Sequence, residues 1–329
     1  KLPTVMSRVP VSDRPPFLAL MLVALLPAAC GGLEHEAEQP QQAFGETKGT
    51  DSSTPGPDAV PAAPTSEKTI AELIVDCERH INAWQFARAN ADTQRELEQL
   101  KVLEEAFARY VANEMDLVRE AALIGENRAR GVASTALGFS GDPSVLPILL
   151  NNLGDPDVGV VANTLFGLGM LAAPETPGGS LQDAIQRPDA SLEIVQNGVF
   201  AAARVAQARS KDEVRGQRAD GLDEVLLSLL ERPEIGIRAQ AASGLGYAKA
   251  ESGIPALTDL LVGDSESAVR MAAAFALGEI GDSISGNVLV SALDDPTPGV
   301  AGAARGALAK IFGRDLGPDP KAWEPLLRD

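Results

Sequence analysis

The stretch Val269-Arg270-Met271-Ala272-Ala273-Ala274-Phe275-Ala276-Leu277-Gly278-Glu279-Ile280-Gly281-Asp282 decides how this chain folds. Its small side chains recur at three- and four-residue spacing, which is typical of a helix face that packs closely against a neighbour. Five further segments align with it at the position of Gly278, where they carry Gly138, Gly167, Arg204, Gly246 and Ala309. The intervals between successive anchors are 29, 37, 42, 32 and 31 residues, which is the period of a solenoid repeat.

Each repeat combines this alanine-rich helix with a second, amphipathic one. Turns such as Asp155-Pro156 and Asp295-Pro296 separate the helices, because Asp caps a helix and Pro is tolerated in its first turn. We expect Gly138, Gly246 and Gly278 to end or bend the first helix by permitting a positive φ. Second helices are predicted at residues 145–153, 222–230, 254–261 and 288–293. One pair cannot bury its apolar face alone, so the pairs must stack.

The repeated pattern, Val-Arg-x-x-Ala-Ala-x-Ala-Leu-Gly-x-x-Gly-Asp before an amphipathic helix, resembles the short HEAT-like repeats of phycobilisome lyases and many bacterial scaffold proteins. The resemblance covers residues 127–313, about six repeats, and implies an all-α fold, a right-handed α-solenoid of HEAT-like helix pairs. It also implies that the Arg after Val joins adjacent repeats, and this position is held by Arg130, Arg238 and Arg270. In repeats two, three and six it is replaced, so we expect those repeats to be less regular; the replacing residues are Gly159, Gln196 and Ala301.

A helical hairpin precedes the repeats, over residues 66–126. Apolar residues at alternating intervals of four and three predict its first helix: Ile70, Ile74, Cys77, Ile81 and Trp84. Thr93 and Glu96 have the spacing of a capping box, so a second helix should begin there. Its inner side should carry Leu97, Leu100, Leu103, Phe107, Tyr110 and Val111. We interpret this hairpin as the N-terminal cap and residues 314–329 as a C-terminal extension.

The beginning of the chain reads as an export signal, with Met6 as the expected start. Arg8 and Arg14 precede ten apolar residues at 17–26, which are too few to span a bilayer. This arrangement predicts a signal peptide over residues 1–29. The small residues before Cys30 resemble a bacterial lipoprotein signal, which implies cleavage before Cys30 and its acylation; Pro27 stands where that motif usually has Leu, and ordinary cleavage near Ala29 is the alternative. The resemblance implies an exported protein anchored by lipid in the cell envelope, and Gly31 favours the outer membrane.

Residues 30–65 are predicted to be a disordered, acidic tether. Between positions 31 and 66 there are five prolines, six acidic residues and one lysine, with almost no large apolar side chain. Such a segment cannot bury enough surface to offset the entropy of ordering it. His35, in this segment, is interpreted as a solvated residue.

The composition argues against several functional classes. The 329 residues carry 28 Lys and Arg against 46 Asp and Glu, a formal charge of −18, which disfavours nucleic acid as a partner. With two Cys and two His, we expect no metal site, no cofactor and no catalytic residue, so the protein is predicted not to be an enzyme. Cys77 should be a buried core thiol, and His80 borders the same stripe. Asp294 and Asp295 occupy positions where helix caps are required, which favours capping over acid–base chemistry or Ca²⁺ binding.

The sequence favours a membrane-anchored scaffold, or a structural subunit of an envelope complex, that binds a protein or peptide through the solenoid surface. Repeat three is interrupted at residues 173–190 and 207–221, and its second insertion holds candidate partner-binding residues: Arg209, Lys211, Arg215 and Arg218. A solvated loop is the alternative for these four. A small-molecule or glycan binder, or a lyase-type enzyme, remains an alternative function; a cytoplasmic lyase conflicts with the export signal. The partner and the oligomeric state stay open.

Overall fold

The computed structural model describes residues 68–211 and 220–327, and all regular structure in these ranges is helical. The predicted signal peptide, Cys30 and the tether therefore lie outside the described residues, as do Arg215 and Arg218. The helices are α1 (Ile70–Ala89), α2 (Gln94–Asn113), α3 (Met115–Ile124), α4 (Asn127–Phe139), α5 (Leu146–Asn152), α6 (Val158–Leu171), α7 (Gly178–Ile185), α8 (Leu192–Ser210), α9 (Leu222–Ser228), α10 (Ile235–Ala248), α11 (Ile254–Gly263), α12 (Ser267–Ile280), α13 (Gly286–Ser291), α14 (Pro298–Phe312) and α15 (Pro320–Trp323).

Both hairpin helices begin at a capping box. Thr93 Oγ1 accepts the Glu96 N–H at 3.3 Å while the Glu96 carboxylate accepts the Thr93 N–H at 2.8 Å, as the sequence predicted. Thr69 and Glu72 form the same arrangement at the start of α1. These reciprocal bonds satisfy backbone donors that the first turn of a helix leaves free. The hairpin helices therefore begin where their sequence directs.

The repeats form two rows of helices. The even-numbered helices α4 to α14 pack closely, each against the next, whereas α3, α5, α7, α9, α11 and α13 lie farther apart from one another. A stack curves toward its more closely spaced row, so we call α4, α6, α8, α10, α12 and α14 the inner row. Leu137, Leu165, Leu245, Leu277 and Leu308 of this row are fully buried. The described chain is thus an α-solenoid of helix pairs, as the sequence predicted.

The repeated glycines do not end or bend their helices, so this expectation was wrong. Gly138, Gly246 and Gly278 lie inside α4, α10 and α12, and none has a positive φ. A Cβ on Gly138 would collide with the backbone of Gly167, and one on Gly278 would lie 2.7 Å from the Ala307 Cα. These glycines are needed because the next helix passes so close. The positive φ of +82° belongs instead to Gly281, the C-cap of α12.

Repeat three carries Arg204 at the aligned position, and the adjoining Ala203 is the small residue that meets the next inner helix. A Cβ on Gly244 of α10 would lie 3.3 Å from the Ala203 Cα of α8. Ala203 therefore occupies the small-residue position of this repeat, and Arg204 lies beside it. A small residue beside Arg204 lets the two helices approach although the aligned position holds a long side chain.

Three arginines join consecutive repeats, in agreement with the expected role of this position. Arg238 binds the Asp264 carboxylate with Nε and Nη2, at 2.8 and 3.1 Å, and Arg270 binds Asp295 in the same way at 2.9 and 3.2 Å. Arg270 Nη1 also donates to the Asp264 carbonyl oxygen at 2.9 Å. Arg130 forms the equivalent pair with Asp155. Bidentate pairing fixes both distance and orientation, so each pair sets how one repeat sits on the next.

The C-terminal residues close the stack at its other end. Trp323 of α15 is fully buried, its ring lies 6.3 Å from that of Phe312, and its Nε1 donates to the Gly317 carbonyl oxygen at 3.0 Å. Covering the last inner helix with an aromatic side chain removes apolar surface from water, which a terminal repeat requires. Among the described helices, none combines the length and apolar character that a bilayer crossing needs.

Candidate functional site

The hairpin packs against the beginning of the inner row through aromatic rings. The Trp84 ring of α1 lies 5.4 Å from Phe139 of α4, edge to face, and 5.8 Å from Phe166 of α6. Phe166 in turn stacks on Phe200 of α8 at 5.6 Å. Edge-to-face and offset contacts of this kind add to the energy of apolar burial. The hairpin therefore covers the inner face of the first repeats. Beyond about Phe200, which is partly exposed, the inner face is no longer covered by the hairpin.

Two arginines lie where the hairpin meets the inner row. Arg88, in the last turn of α1, is 5% exposed, and its Nη2 has no hydrogen-bond partner among the described residues. Arg204 of α8 is partly buried. Its Nε donates to the Gly169 carbonyl oxygen at 3.3 Å and its Nη1 to Gln207 Oε1 at 2.8 Å. In the described ranges neither guanidinium has a carboxylate within ion-pair distance.

The charges of this junction act on one another. Burial lowers the pKa of Arg88, the Glu104 carboxylate of α2 opposes that shift, and the charge of Arg204 adds to it. Burial likewise lowers the pKa of Arg204. Glu104 Oε1 accepts the Trp84 Nε1–H at 2.9 Å, so the carboxylate is held at the aromatic contact. Two partly desolvated guanidiniums thus share one nearby carboxylate.

The inner row continues from Arg204 as a strip of partly exposed polar and aromatic side chains. Tyr247 of α10 follows on the next inner helix, and its pKa is raised chiefly by burial. The Tyr247 ring meets Phe275 of α12 edge to face at 5.5 Å. We call these residues the inner strip and include in it the adjoining buried Arg88 of α1: Arg88, Phe200, Arg204, Gln207, Tyr247 and Phe275. It combines hydrogen-bonding groups, positive charge and aromatic faces on one surface, which suits binding better than bond-making chemistry.

The two predicted partner-binding residues within the described ranges occupy different environments. The Arg209 side chain is 16% exposed and binds Asp220 with both terminal nitrogens, at 2.6 and 3.2 Å. It also donates to the carbonyl oxygens of Pro174 and Thr176, at 2.9 and 2.7 Å. Lys211, just beyond α8, is exposed. The structure places Arg209 as a cross-link between the two insertions of repeat three, whereas Lys211 faces solvent.

The other residues that the sequence analysis weighed are accounted for by packing, turn hydrogen bonds and ion pairing. Burial raises the pKa of the Cys77 thiol to about 12, as expected for a core cysteine. His80 stacks on Phe107 with ring centroids 5.0 Å apart, and burial lowers its pKa. Asp295 accepts the Thr297 N–H at 2.8 Å in the turn before α14 and binds Arg270, and the N-cap of α14 is Thr297. Within residues 68–211 and 220–327, no three His, Cys, Asp or Glu side chains cluster as metal ligands would.

Apart from the inner strip, a concavity lies at the start of α1. It has a volume of about 710 Å³ and is lined by Lys68, Ala71, Glu72, Val75, Asp76 and Arg79. Its charged groups satisfy one another, because Lys68 Nζ lies 2.7 Å from Asp76 and 2.9 Å from the Tyr110 hydroxyl, and Arg79 pairs with Asp76. This concavity therefore leaves fewer unsatisfied groups for a ligand than the inner strip does.

Comparison with known proteins agrees with the repeat architecture. The protein-family model for HEAT repeats matches residues 224–309, which run from α9 into α14. The repeats are HEAT-like. No curated protein matches the chain.

Solved structures with similar folds are distant from this chain. The complex of CpcE and CpcF of phycocyanin lyase from Nostoc sp. PCC7120 is 16% identical, with a TM-score of 0.37, over 79% of this chain and 92% of that one. Human deoxyhypusine hydroxylase in complex with glycerol is 20% identical, with a TM-score of 0.36, over 75% and 92%. A designed armadillo repeat protein is 18% identical, with a TM-score of 0.38, over 71% and 98%. At this distance no activity is transferred from them.

The sequence reasoning missed the inner strip. Arg88 and Glu104 come from the hairpin, whereas Arg204 and Tyr247 come from HEAT-like repeats three and four. One signal was present in the sequence: repeat three has an arginine at the aligned position, where four of the six repeats have glycine and a fifth has alanine. Arg204 thereby brings a positive charge to the inner face.

Proposed function

We propose that this protein is a lipid-anchored scaffold of the bacterial cell envelope that binds a protein partner through the inner strip of its HEAT-like repeats. The observation that carries the binding role is the inner strip itself, where a buried guanidinium nitrogen without a partner lies beside partly exposed aromatic rings. Curved solenoid surfaces are used for extended protein contacts. We propose binding rather than catalysis, because the strip offers recognition groups without an arranged nucleophile and base.

The membrane anchor is proposed from the sequence around Cys30. A basic segment, ten apolar residues and small residues before a cysteine support processing and acylation at Cys30, followed by a tether of about 35 residues. A single acyl chain binds membranes only marginally, whereas the several chains of a lipoprotein anchor hold stably. The outer membrane is the favoured location. The tether would let the solenoid reach a partner that lies away from the membrane surface.

The anchor is tested by fractionating cells that produce the full chain or its Cys30→Ser variant. We expect the parent protein in the detergent-soluble membrane fraction and carrying a metabolically incorporated fatty acid, and the variant in the soluble fraction without that label. A labelled Cys30→Ser protein, or an unlabelled parent, would overturn the anchor.

The binding role is tested by in-cell crosslinking and mass spectrometry on the tagged parent and on a Tyr247→Ala variant. We expect one protein to be crosslinked to α8, α10 or α12 in the parent and to be reduced in the variant. A Val262→Ala variant is the matched control, because Val262 is 72% exposed on α11 of the outer row. Crosslinks confined to the other row of helices, α3, α5, α7, α9, α11 and α13, would contradict the proposal that the partner binds at the inner strip. Absence of any protein partner would favour the small-molecule or glycan alternative.

A further inference from the structure

We propose that Arg88 and Arg204 together bind a carboxylate side chain of an acidic peptide segment in the partner protein. This inference rests on the proposed function and names the chemistry that the inner strip recognises. Arg88 lies one turn beyond Trp84 on α1 and Arg204 lies one turn beyond Phe200 on α8, and the rings of Trp84 and Phe200 both contact Phe166 of α6.

The first argument is the state of Arg88. A guanidinium has five N–H donors, and burying one without an acceptor costs free energy. Arg88 is 5% exposed, and its Nη2 has no hydrogen-bond partner among the described residues. The positive charge of Arg204 further lowers the pKa of Arg88 and so disfavours its charged form. An arriving carboxylate would satisfy the free donor and offset the repulsion between the two arginines.

The second argument is that Arg204 is held for binding. Its Nε and Nη1 are occupied by the Gly169 carbonyl oxygen and by Gln207 Oε1, which fix the plane of the guanidinium. A side chain that is already ordered loses little entropy when a ligand binds. The remaining Arg204 donors are thus presented in a defined direction.

The third argument is charge balance, which selects a carboxylate. Arg88 of α1 and Arg204 of α8 face one acidic group, Glu104 of α2. The next carboxylate along the inner face, Glu279 of α12, forms an ion pair with Lys310 of α14. The junction therefore carries one uncompensated positive charge, which one carboxylate neutralises and a phosphate dianion would overcompensate.

The fourth argument concerns what carries the carboxylate. Phe200, Tyr247 and Phe275 are partly exposed along the same face, next to the arginines. They offer apolar and aromatic contacts to the residues that flank an acidic side chain in a peptide. A free small anion would make no use of them.

The proposal is tested with a fluorescein-labelled hexaglutamate peptide and the full chain carrying Cys30→Ser, by fluorescence anisotropy. A hexaglutamine peptide with the same label is the control probe. Arg88→Met and Arg204→Met remove the charges while keeping the length of the side chain. Arg79→Met is the matched control, because Arg79 lies on the same helix with 71% of its side chain exposed.

We expect hexaglutamate to bind, and Arg88→Met and Arg204→Met each to weaken it by about tenfold to a hundredfold, the range that loss of a charged hydrogen bond produces. Arg79→Met should change the affinity by less than about twofold. Arg88→Met should melt no lower than the parent, because it removes a buried unpaired charge. If Arg88→Met keeps its melting temperature but loses affinity for hexaglutamate, Arg88 acts in recognition and not in holding the fold.

Three results would overturn the proposal. The carboxylate site would be disproved if hexaglutamine bound as tightly as hexaglutamate, or if both methionine variants bound hexaglutamate as tightly as the parent. Displacement of the peptide by an equal concentration of inorganic phosphate would remove the carboxylate preference. A tenfold gain in affinity on deleting residues 31–66 would assign the site to the acidic tether of this chain instead of a partner. None of these depends on the fractionation or crosslinking results, so the scaffold proposal fails or stands separately.

Discussion

Arg209 and Asp220 form a bidentate ion pair across the long third repeat, with Nη2 to Oδ2 at 2.6 Å and Nη1 to Oδ1 at 3.2 Å. The same carboxylate accepts the Gly178 N–H at 3.3 Å, and the Asp220 carbonyl oxygen accepts the Gly179 N–H at 2.7 Å. The pair therefore joins the end of α8 to the beginning of α7. A residue selected from the sequence for its charge is used to hold two insertions together.

We predict that Arg209→Met lowers the free energy of unfolding by about 1 to 3 kcal/mol, because it leaves a partly buried carboxylate without its cation. Lys211→Met is the matched control, two residues away and exposed, and should stay within about 0.5 kcal/mol of the parent. Urea unfolding followed by circular dichroism measures both. Equal effects of the two substitutions would contradict the cross-link.

The arginine pairs between repeats predict a dependence of stability on acid. The hydrogen bonds from Arg270 hold the pKa of Asp295 below its ordinary value. A carboxyl with a lowered folded-state pKa contributes stability that is complete above its unfolded pKa of about 3.9 and is lost as the pH falls through the folded pKa. Asp295→Asn should therefore cost about 1 to 3 kcal/mol at neutral pH and progressively less below about pH 4. A pH-independent difference would show that the ion pair is not the source.

Replacing glycine by alanine should have opposite effects at two positions in the inner row, Gly138 and Gly302. Gly138→Ala should destabilise the protein by about 1 to 3 kcal/mol, because the added Cβ collides with the backbone of Gly167. Gly302→Ala should stabilise it by about 0.5 to 1 kcal/mol, since Gly302 lies inside α14 with nothing within 4 Å of a Cβ. Thermal unfolding of both variants tests the prediction. Destabilisation by both would mean that collision with the neighbouring helix is not what separates the two sites.

The buried thiol predicts a slow labelling reaction. In the Cys30→Ser background Cys77 is the remaining cysteine, and its pKa of about 12 leaves almost no thiolate at neutral pH. We expect Ellman's reagent to react with Cys77 at a rate set by opening of the hairpin and to react within the mixing time in 6 M guanidinium chloride. Fast labelling of the folded protein would place Cys77 outside the core.

Much of the fold was predictable because its determinants are local. Thr93 and Glu96 are three residues apart, and the stripe from Ile74 to Trp84 depends on one helical period. Arg130, Arg238 and Arg270 were recognised because their position within the repeat recurs. In each case the residues that determine the structural feature lie close together in the sequence or recur at a fixed position of the repeat.

The role of the glycines and the inner strip were not predictable in the same way. Whether Gly138 must be small depends on how close Gly167 passes, and nothing within α4 specifies that distance. Arg88 and Arg204 belong to one junction because Trp84 packs the hairpin against Phe139 and Phe166, a docking geometry that neither segment encodes alone. Recognition of the site needed the three-dimensional arrangement.

The close approach of inner helices at Gly138, Gly246 and Gly278 also limits how such a protein can evolve. A seam where backbone meets backbone admits almost no substitution, so these positions must change very little while the rest of the repeat diverges. A long side chain is accommodated next to a close contact, as Arg204 is beside Ala203. New binding specificities can therefore arise on the inner face by single substitutions next to the seam, without rebuilding the stack that supports them.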